Sequence, residues 1–231
     1  MQPPSSQARR MTGALFIAGA LIGLVGNALH PHTTDPDAAA IVRAISQNGA
    51  WVWIHLAIIM AILLIIGGLL GLAEQLNGTP AAPLARLGVA AALVGGAVVT
   101  ISTAVDGFGM KALALSSTAA PAAEAVTAQR IAISVRHADF GIWSIGMLVF
   151  FGVAFACFGL AVRESRQFSS WFGWVAVVGA GGATVAALLQ IAASEEVQAA
   201  ESIFLVSSVL LTLWALAVGV QMWRRRTDAV A

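Results

Sequence analysis

Residues 51–73 read WVWIHLAIIMAILLIIGGLLGLA and contain no Asp, Glu, Lys or Arg. The hydrocarbon core of a bilayer is about 30 Å thick, so a helix needs about 20 apolar residues to cross it. This run is long enough to cross a membrane as one helix. One ionisable residue, His55, lies within it, one turn from its start.

Five further runs are equally free of charged side chains, in a chain of 231 residues that is 59% hydrophobic, 10% charged and has a mean hydropathy of +0.87. Soluble domains carry about 25% charged residues. Runs of this length favour helices over the roughly 10-residue strands of membrane barrels. We therefore predict an all-α integral membrane bundle of six transmembrane helices, forming a single domain over residues 1–231. The predicted spans are 11–29, 51–73, 87–105, 140–162, 171–192 and 203–223.

Two connections on the same side of the predicted bundle favour short surface helices. In the first, the Asp-Pro-Asp sequence at 35–37 is typical of a helix start, and the Asn-Gly pair at 48–49 of an exit turn. A short surface helix is therefore predicted, with Pro36 at its first position and residues 38–47 following. In the second, hydroxyl residues at 116–118 precede Pro121, which predicts a helix that continues into the fourth span.

The positions of Lys and Arg predict the orientation. With both termini in the cytoplasm, the inner segments hold eight of the twelve basic residues and the outer segments four, as the positive-inside rule requires.

The net charge is +1, and the sole basic cluster, at 224–226, closes the last span, so a nucleic-acid partner is not expected. The protein is expected to contact the lipid bilayer. Association with another membrane protein or with a second copy of this chain remains an open alternative. One cysteine, Cys157, excludes an intrachain disulfide.

Polar side chains gather at the predicted outer ends of the spans. All four histidines lie at or beyond those ends, where ionisable groups are costly and often functional. Five of the six predicted helices deliver a polar group to about the same depth, which predicts an outward-facing His/Asp cluster. These groups are His30, His55, Asp106, His137 and Gln190, with His32, Asp35 and Asp139 close by.

Imidazole and carboxylate together suit a divalent transition metal such as zinc, copper, iron or nickel. The candidate ligands are His30, His55, Asp106 and His137, and Asp139 and Gln190 are candidates for the groups that orient them. The competing interpretation is that these residues simply meet water, since a histidine ring tolerates an interface. For His55 and His137 both interpretations stay open.

Functions other than binding a single metal ion are also considered; one of them uses the same histidines, and the others do not need them. His55 and His137, on separate spans, could ligate haem b from two sides, as helical bundles allow. A structural or partner-binding subunit would need no ligand. A proton-coupled carrier is disfavoured because the predicted midplane is apolar apart from hydroxyl groups. No catalytic motif is present that would assign an enzymatic activity.

Three segments carry a resemblance to a known group of proteins. They are TGALFIAGALIGLVGNALHPH at 12–32, WVWIHL at 51–56 and AVDGFGMKALA at 104–114. They resemble uncharacterised bacterial small polytopic membrane proteins with six spans and unknown function. The resemblance implies a location in the bacterial cytoplasmic (inner) membrane. It implies no established activity, so no functional residue can be transferred from it.

Overall fold

The structure, a computed structural model, describes residues 5–31, 38–194 and 197–224. Helices account for most of these residues, and two of the helical segments are π-helical. The α-helices are α1 (Ser6–Leu29), α2 (Ala38–Gln47), α3 (Trp51–Leu76), α4 (Ala82–Ala104), α5 (Lys111–Ala119), α6 (Ala122–Gly146), α7 (Phe155–Ser165), α8 (Ser170–Ala193) and α9 (Gln198–Arg224). The π-helical segments are Val105–Met110, between α4 and α5, and Met147–Ala154, between α6 and α7.

Within the described residues, six helical stretches are long and apolar enough to cross a membrane. This confirms the predicted all-α bundle with six membrane spans. Two stretches, Ala82–Ala119 and Ala123–Ser165, are much longer than the predicted third and fourth spans. Those predictions stopped next to Asp106 and Asp139, because an acidic residue was taken to mark the membrane edge. The helices continue past both residues, and each carboxylate has a hydrogen-bond partner on another helix, His55 for Asp106 and Ser102 for Asp139.

The six membrane-spanning stretches form a closed ring. α1 packs against α3 and α9, α3 against α4, α4 against α6 and the second π-helical segment, and α8 against α7 and α9. Glycines allow the closest approaches, since a Cβ added at Gly13 would lie 2.7 Å from the carbonyl oxygen of Gly219. One added at Gly159 would lie 2.8 Å from the carbonyl oxygen of Gly173. Small residues therefore bring the helix backbones into direct contact, as is typical of membrane bundles.

Aromatic side chains fill the middle and one end of the ring. Trp214 packs edge-on against Phe16 and Phe155, with ring centroids 6.2 and 5.7 Å apart, and Phe158 is fully buried nearby. Such edge-to-face contacts add to the stabilisation from burial alone. The opposite end, where α1 and α8 finish and α3 and α9 begin, is named here the histidine end.

The predicted short surface helix is confirmed over 38–47 as α2, and its predicted first residue, Pro36, lies outside the described residues. The helix predicted after Pro121 is confirmed as α6. α2 buries Ile45 against Met110 and Ala114 at the histidine end. Its C-terminal carbonyl groups are satisfied by Lys111, whose Nζ donates to the oxygens of residues 45, 46 and 48 at 2.8–2.9 Å. A cation suits a helix C-terminus, so Lys111 fixes α2 to the bundle.

Candidate metal centre

His55 lies in the second turn of α3, and its side chain is 1% exposed. Its Nδ1 is 2.7 Å from the backbone carbonyl oxygen of Trp51. A carbonyl oxygen can only accept a hydrogen bond, so Nδ1 carries the proton and donates it. In the neutral ring, Nε2 is then left with a free lone pair.

The carboxylate of Asp106 faces that lone pair. Asp106 belongs to the π-helical segment Val105–Met110, and its Oδ2 lies 2.9 Å from Nε2 of His55. Its backbone carbonyl accepts a hydrogen bond of 2.9 Å from the indole Nε1 of Trp51. Because an ionised carboxylate and a bare imidazole nitrogen are both acceptors, a cation is needed at this point. That cation is either a proton on Nε2 or a metal ion.

His30 brings a third ligand atom to the same point. It caps α1 with an extended backbone conformation, φ −69° and ψ 121°, ahead of Pro31, which does not continue the helix. Its Nε2 lies 3.2 Å from Nε2 of His55 and 3.6 Å from Oδ2 of Asp106. Its ring packs against those of Trp51 and His55, at centroid distances of 5.5 and 4.9 Å.

The three ligand atoms form a triangle with sides of 2.9, 3.2 and 3.6 Å. A tetrahedral zinc ion with bonds of about 2.0–2.1 Å holds its ligands about 3.3 Å apart. The triangle therefore matches three corners of a tetrahedron. In the part of the chain that the structure describes, His30, His55 and Asp106 form a group whose ligand atoms all lie within 4.8 Å of one another. Two imidazoles and a carboxylate are also a suitable ligand set for such an ion.

A glycine next to Asp106 makes this close approach possible. A Cβ added at Gly107 would overlap the Cβ of His55 and would lie 2.7 Å from its Cγ. α3 and the first π-helical segment can therefore approach only if residue 107 has no side chain. π-helical turns are frequent at functional sites, and here one carries both Asp106, a candidate ligand, and this glycine.

The ligand residues line a cavity of about 460 Å³ at the histidine end. Its wall also includes Asp139, whose Oδ1 accepts a 2.7 Å hydrogen bond from the hydroxyl of Ser102. Polar, aromatic and aliphatic residues from α6, α8 and α9 complete the wall. They include Arg136, Phe140, Trp143, Gln190, Gln198, Glu201, Ser202, Phe204, Leu205 and Ser208.

The structure separates the six predicted site residues into three groups. His30, His55 and Asp106 come together, whereas His137 is exposed on α6, outside their cluster. Asp139 and Gln190 line the cavity, and Gln190 is buried, with its Oε1 3.3 Å from the Ser144 hydroxyl oxygen. Both residues are therefore neighbours of His30, His55 and Asp106 in the same cavity. His32 and Asp35 lie outside the described residues.

Two residues important to the centre were not among the predicted site residues. The first is Trp51, whose indole donates to the Asp106 carbonyl oxygen and whose own carbonyl oxygen accepts from His55. Gly107 had no assigned role. The available signal was a glycine directly after the acidic residue that ends an apolar run, since such a glycine allows a neighbouring helix to approach.

A comparison with known protein families agrees with the six-span fold, and the matched residues include His30, His55 and Asp106. A family model described as a domain of unknown function, DUF4386, matches residues 11–219. The chain belongs to this family. The DUF4386 match contains all three ligand residues and both π-helical segments, and it confirms the resemblance to polytopic membrane proteins of unknown function. No curated protein and no solved structure matches the chain.

Proposed function

We propose that this protein binds one divalent transition metal ion in the membrane, with His30, His55 and Asp106 as its ligands. The observation that carries the proposal is the triangle of acceptor atoms from α1, α3 and the first π-helical segment, with sides of 2.9–3.6 Å. A single ion with bonds of about 2 Å satisfies all three atoms at once.

The surroundings of His55 support the same proposal. A histidine that binds a metal through Nε2 usually donates its Nδ1 proton to a carbonyl or carboxylate group, which fixes the ring. The Trp51 carbonyl is such an acceptor, at 2.7 Å. The ring is also 1% exposed, so the ligand geometry is held by packing as well as by this hydrogen bond.

Zinc is the first candidate among divalent ions. Two imidazoles and one carboxylate are a ligand set found in zinc enzymes, where water or substrate takes a fourth position. Copper, nickel and iron also accept such ligands. Since all three ligand residues line the 460 Å³ cavity, a fourth ligand can reach the ion from there.

The haem alternative requires His55 and His137 to face each other across an iron atom. His137 is exposed on α6, whereas Nε2 of His55 faces Asp106 and His30. This geometry favours a single ion over haem. In the proposed orientation both termini lie in the cytoplasm of a bacterium, and the histidine end faces the outside of its inner membrane.

Zinc content tests the proposal. The purified protein and its His55→Ala, Asp106→Asn and His137→Ala variants are equilibrated with zinc, passed through a desalting column and analysed for metal. The proposal predicts about one zinc per chain in the wild type and in His137→Ala, and a loss of most of it in the other two. Asp106→Asn keeps the side-chain shape, so its loss of zinc would not reflect misfolding.

Equal zinc content in all four proteins would contradict the proposal. It would mean that a proton, not a metal ion, holds His55 against Asp106. In that case a structural or partner-binding role, with no bound ion, becomes the better account.

A further inference from the structure

The cavity beside the metal centre changes in character along its depth. Close to the histidine end its wall is polar, with Gln198, Glu201 and Ser202 in the first turns of α9. Further in, Leu205 and Ile58 lie seven residues from the starts of α9 and α3, which corresponds to a depth of about 10 Å. The ligand residues lie nearer the polar end, since His55 is one turn closer to the start of α3 than Ile58.

The deeper wall is mainly apolar and aromatic. It contains Met147, Trp143 and Phe204 in addition to Ile58 and Leu205. The hydroxyl of Ser208, which also lines the cavity at this depth, donates to the carbonyl oxygen of residue 205 at 2.9 Å. That hydroxyl is therefore satisfied within its own helix and adds little polarity.

Some wall residues of the cavity on α1 and α9 are also exposed at the surface of the bundle. Gly13 and Phe16 of α1 pack against Gly219 of α9 nearer the opposite end of the bundle. On the same face of α1, near its end, Asn27 lines the cavity and is exposed. On α9, Leu205 lines the cavity and is 49% exposed. Glu201 and Ser202, at the polar end of the wall, are exposed as well, so exposed wall residues extend from the first turns of α9 to Leu205.

From this arrangement we propose that the cavity binds a single-chain amphiphile from the adjacent leaflet. Its oxygen-bearing anionic head, such as a carboxylate, occupies the fourth position on the metal ion, and its alkyl chain lies against Leu205 and Ile58. This inference rests on the proposed metal site and adds its ligand class. The volume of about 460 Å³ lies within the range of small-molecule pockets, roughly 300–1,000 Å³.

Alkyl hydroxamates are suitable probes, because the head group binds zinc or cobalt and the chain length can be varied. The full-length protein is placed in lipid nanodiscs and loaded with Co²⁺, and binding of acetohydroxamate and octanohydroxamate is followed by the visible absorption of the bound cobalt. The dissociation constant of octanohydroxamate is expected to be at least tenfold lower than that of acetohydroxamate, because its longer chain is buried in the cavity.

Variants at two neighbouring positions, Leu205 and Val206, distinguish binding in the cavity from partition of the probe into lipid. Leu205 lines the cavity, whereas Val206 is 63% exposed and is not part of the cavity wall. Leu205→Ser should weaken octanohydroxamate binding at least fivefold and leave acetohydroxamate binding unchanged. Val206→Ser should change neither.

The experiment distinguishes failure of the amphiphile proposal from failure of the proposal that the protein binds a metal ion. If cobalt binds but the two hydroxamates bind equally, or if Leu205→Ser and Val206→Ser behave alike, the amphiphile proposal is overturned and the metal site stands. If no cobalt binds to the wild type, both are overturned.

Discussion

The indole of Trp51 donates a 2.9 Å hydrogen bond to the backbone carbonyl of Asp106, 55 residues further along the chain. The carbonyl of the same tryptophan accepts the Nδ1 proton of His55 at 2.7 Å. One residue thus orients two of the three proposed ligands. Groups of this kind, which contact ligands rather than the metal itself, commonly change metal affinity 10- to 100-fold when they are removed.

Trp51→Phe should therefore weaken zinc binding by about tenfold while the protein still folds. Phenylalanine keeps most of the buried ring but cannot donate to the Asp106 carbonyl. The measurement is a zinc titration against a chelating dye of known affinity. Trp53→Phe is the matched control, because Trp53 is 70% exposed and should show wild-type affinity. Equal affinity in both variants would refute the positioning role of Trp51.

Gly107→Ala should abolish most zinc binding. The added methyl group would overlap the Cβ of His55, so either that ring or the first π-helical segment must move. Gly109→Ala is a control in the same segment, because a Cβ there meets nothing within 4 Å. Zinc content and the elution volume of both variants are compared. Retention of one zinc per chain in Gly107→Ala would show that the close contact with His55 is dispensable.

Acidification should weaken zinc binding. A proton and a zinc ion compete for the same lone pairs on His30 and His55, and ligand imidazoles must lose a proton to bind metal. The apparent affinity is expected to be at least tenfold lower at pH 5.5 than at pH 7.5, with stability of the apo bundle followed as a control. An affinity that is independent of pH over this range would argue against imidazole ligands.

Lys111→Met should loosen α2 from the bundle. Three backbone carbonyl oxygens would lose a charged donor at 2.8–2.9 Å, at a cost of about 1–3 kcal/mol. Amide hydrogen exchange over residues 41–48 is expected to accelerate by at least tenfold. Exchange in α8 should stay unchanged, which provides an internal control. Unchanged exchange in α2 would mean that Ile45 and its apolar contacts are enough to hold this helix.

Charge-free runs predicted the six spans because the hydrophobic length needed to cross a bilayer is a strong constraint. The same rule placed the ends of the third and fourth spans next to Asp106 and Asp139, whereas the helices continue past both residues. Each carboxylate has a hydrogen-bond partner on another helix, His55 or Ser102. A hydrogen-bond partner on another helix cannot be identified from the local composition of one run.

The similar depth of polar residues along the predicted spans identified His30, His55 and Asp106 as candidates, and the structure brings these three together. For His137, depth was insufficient because its direction around α6 also matters. It shares a face with Ser134 and Gly141, both exposed, whereas the cavity side of α6 carries Asp139 and Trp143. Residues at one depth on a helix can point to opposite sides of it, so depth alone does not place a side chain in the site.

X-ray absorption at the zinc edge tests the proposed centre most directly, because it reports the ligands of the bound ion. The account predicts one zinc per chain, coordinated by two imidazole nitrogens and by oxygen at about 2.0–2.1 Å. His137→Ala should give the same spectrum, and His55→Ala should lose the bound zinc or one imidazole. A wild-type protein without bound zinc, or a spectrum that keeps two imidazoles in His55→Ala, would contradict it.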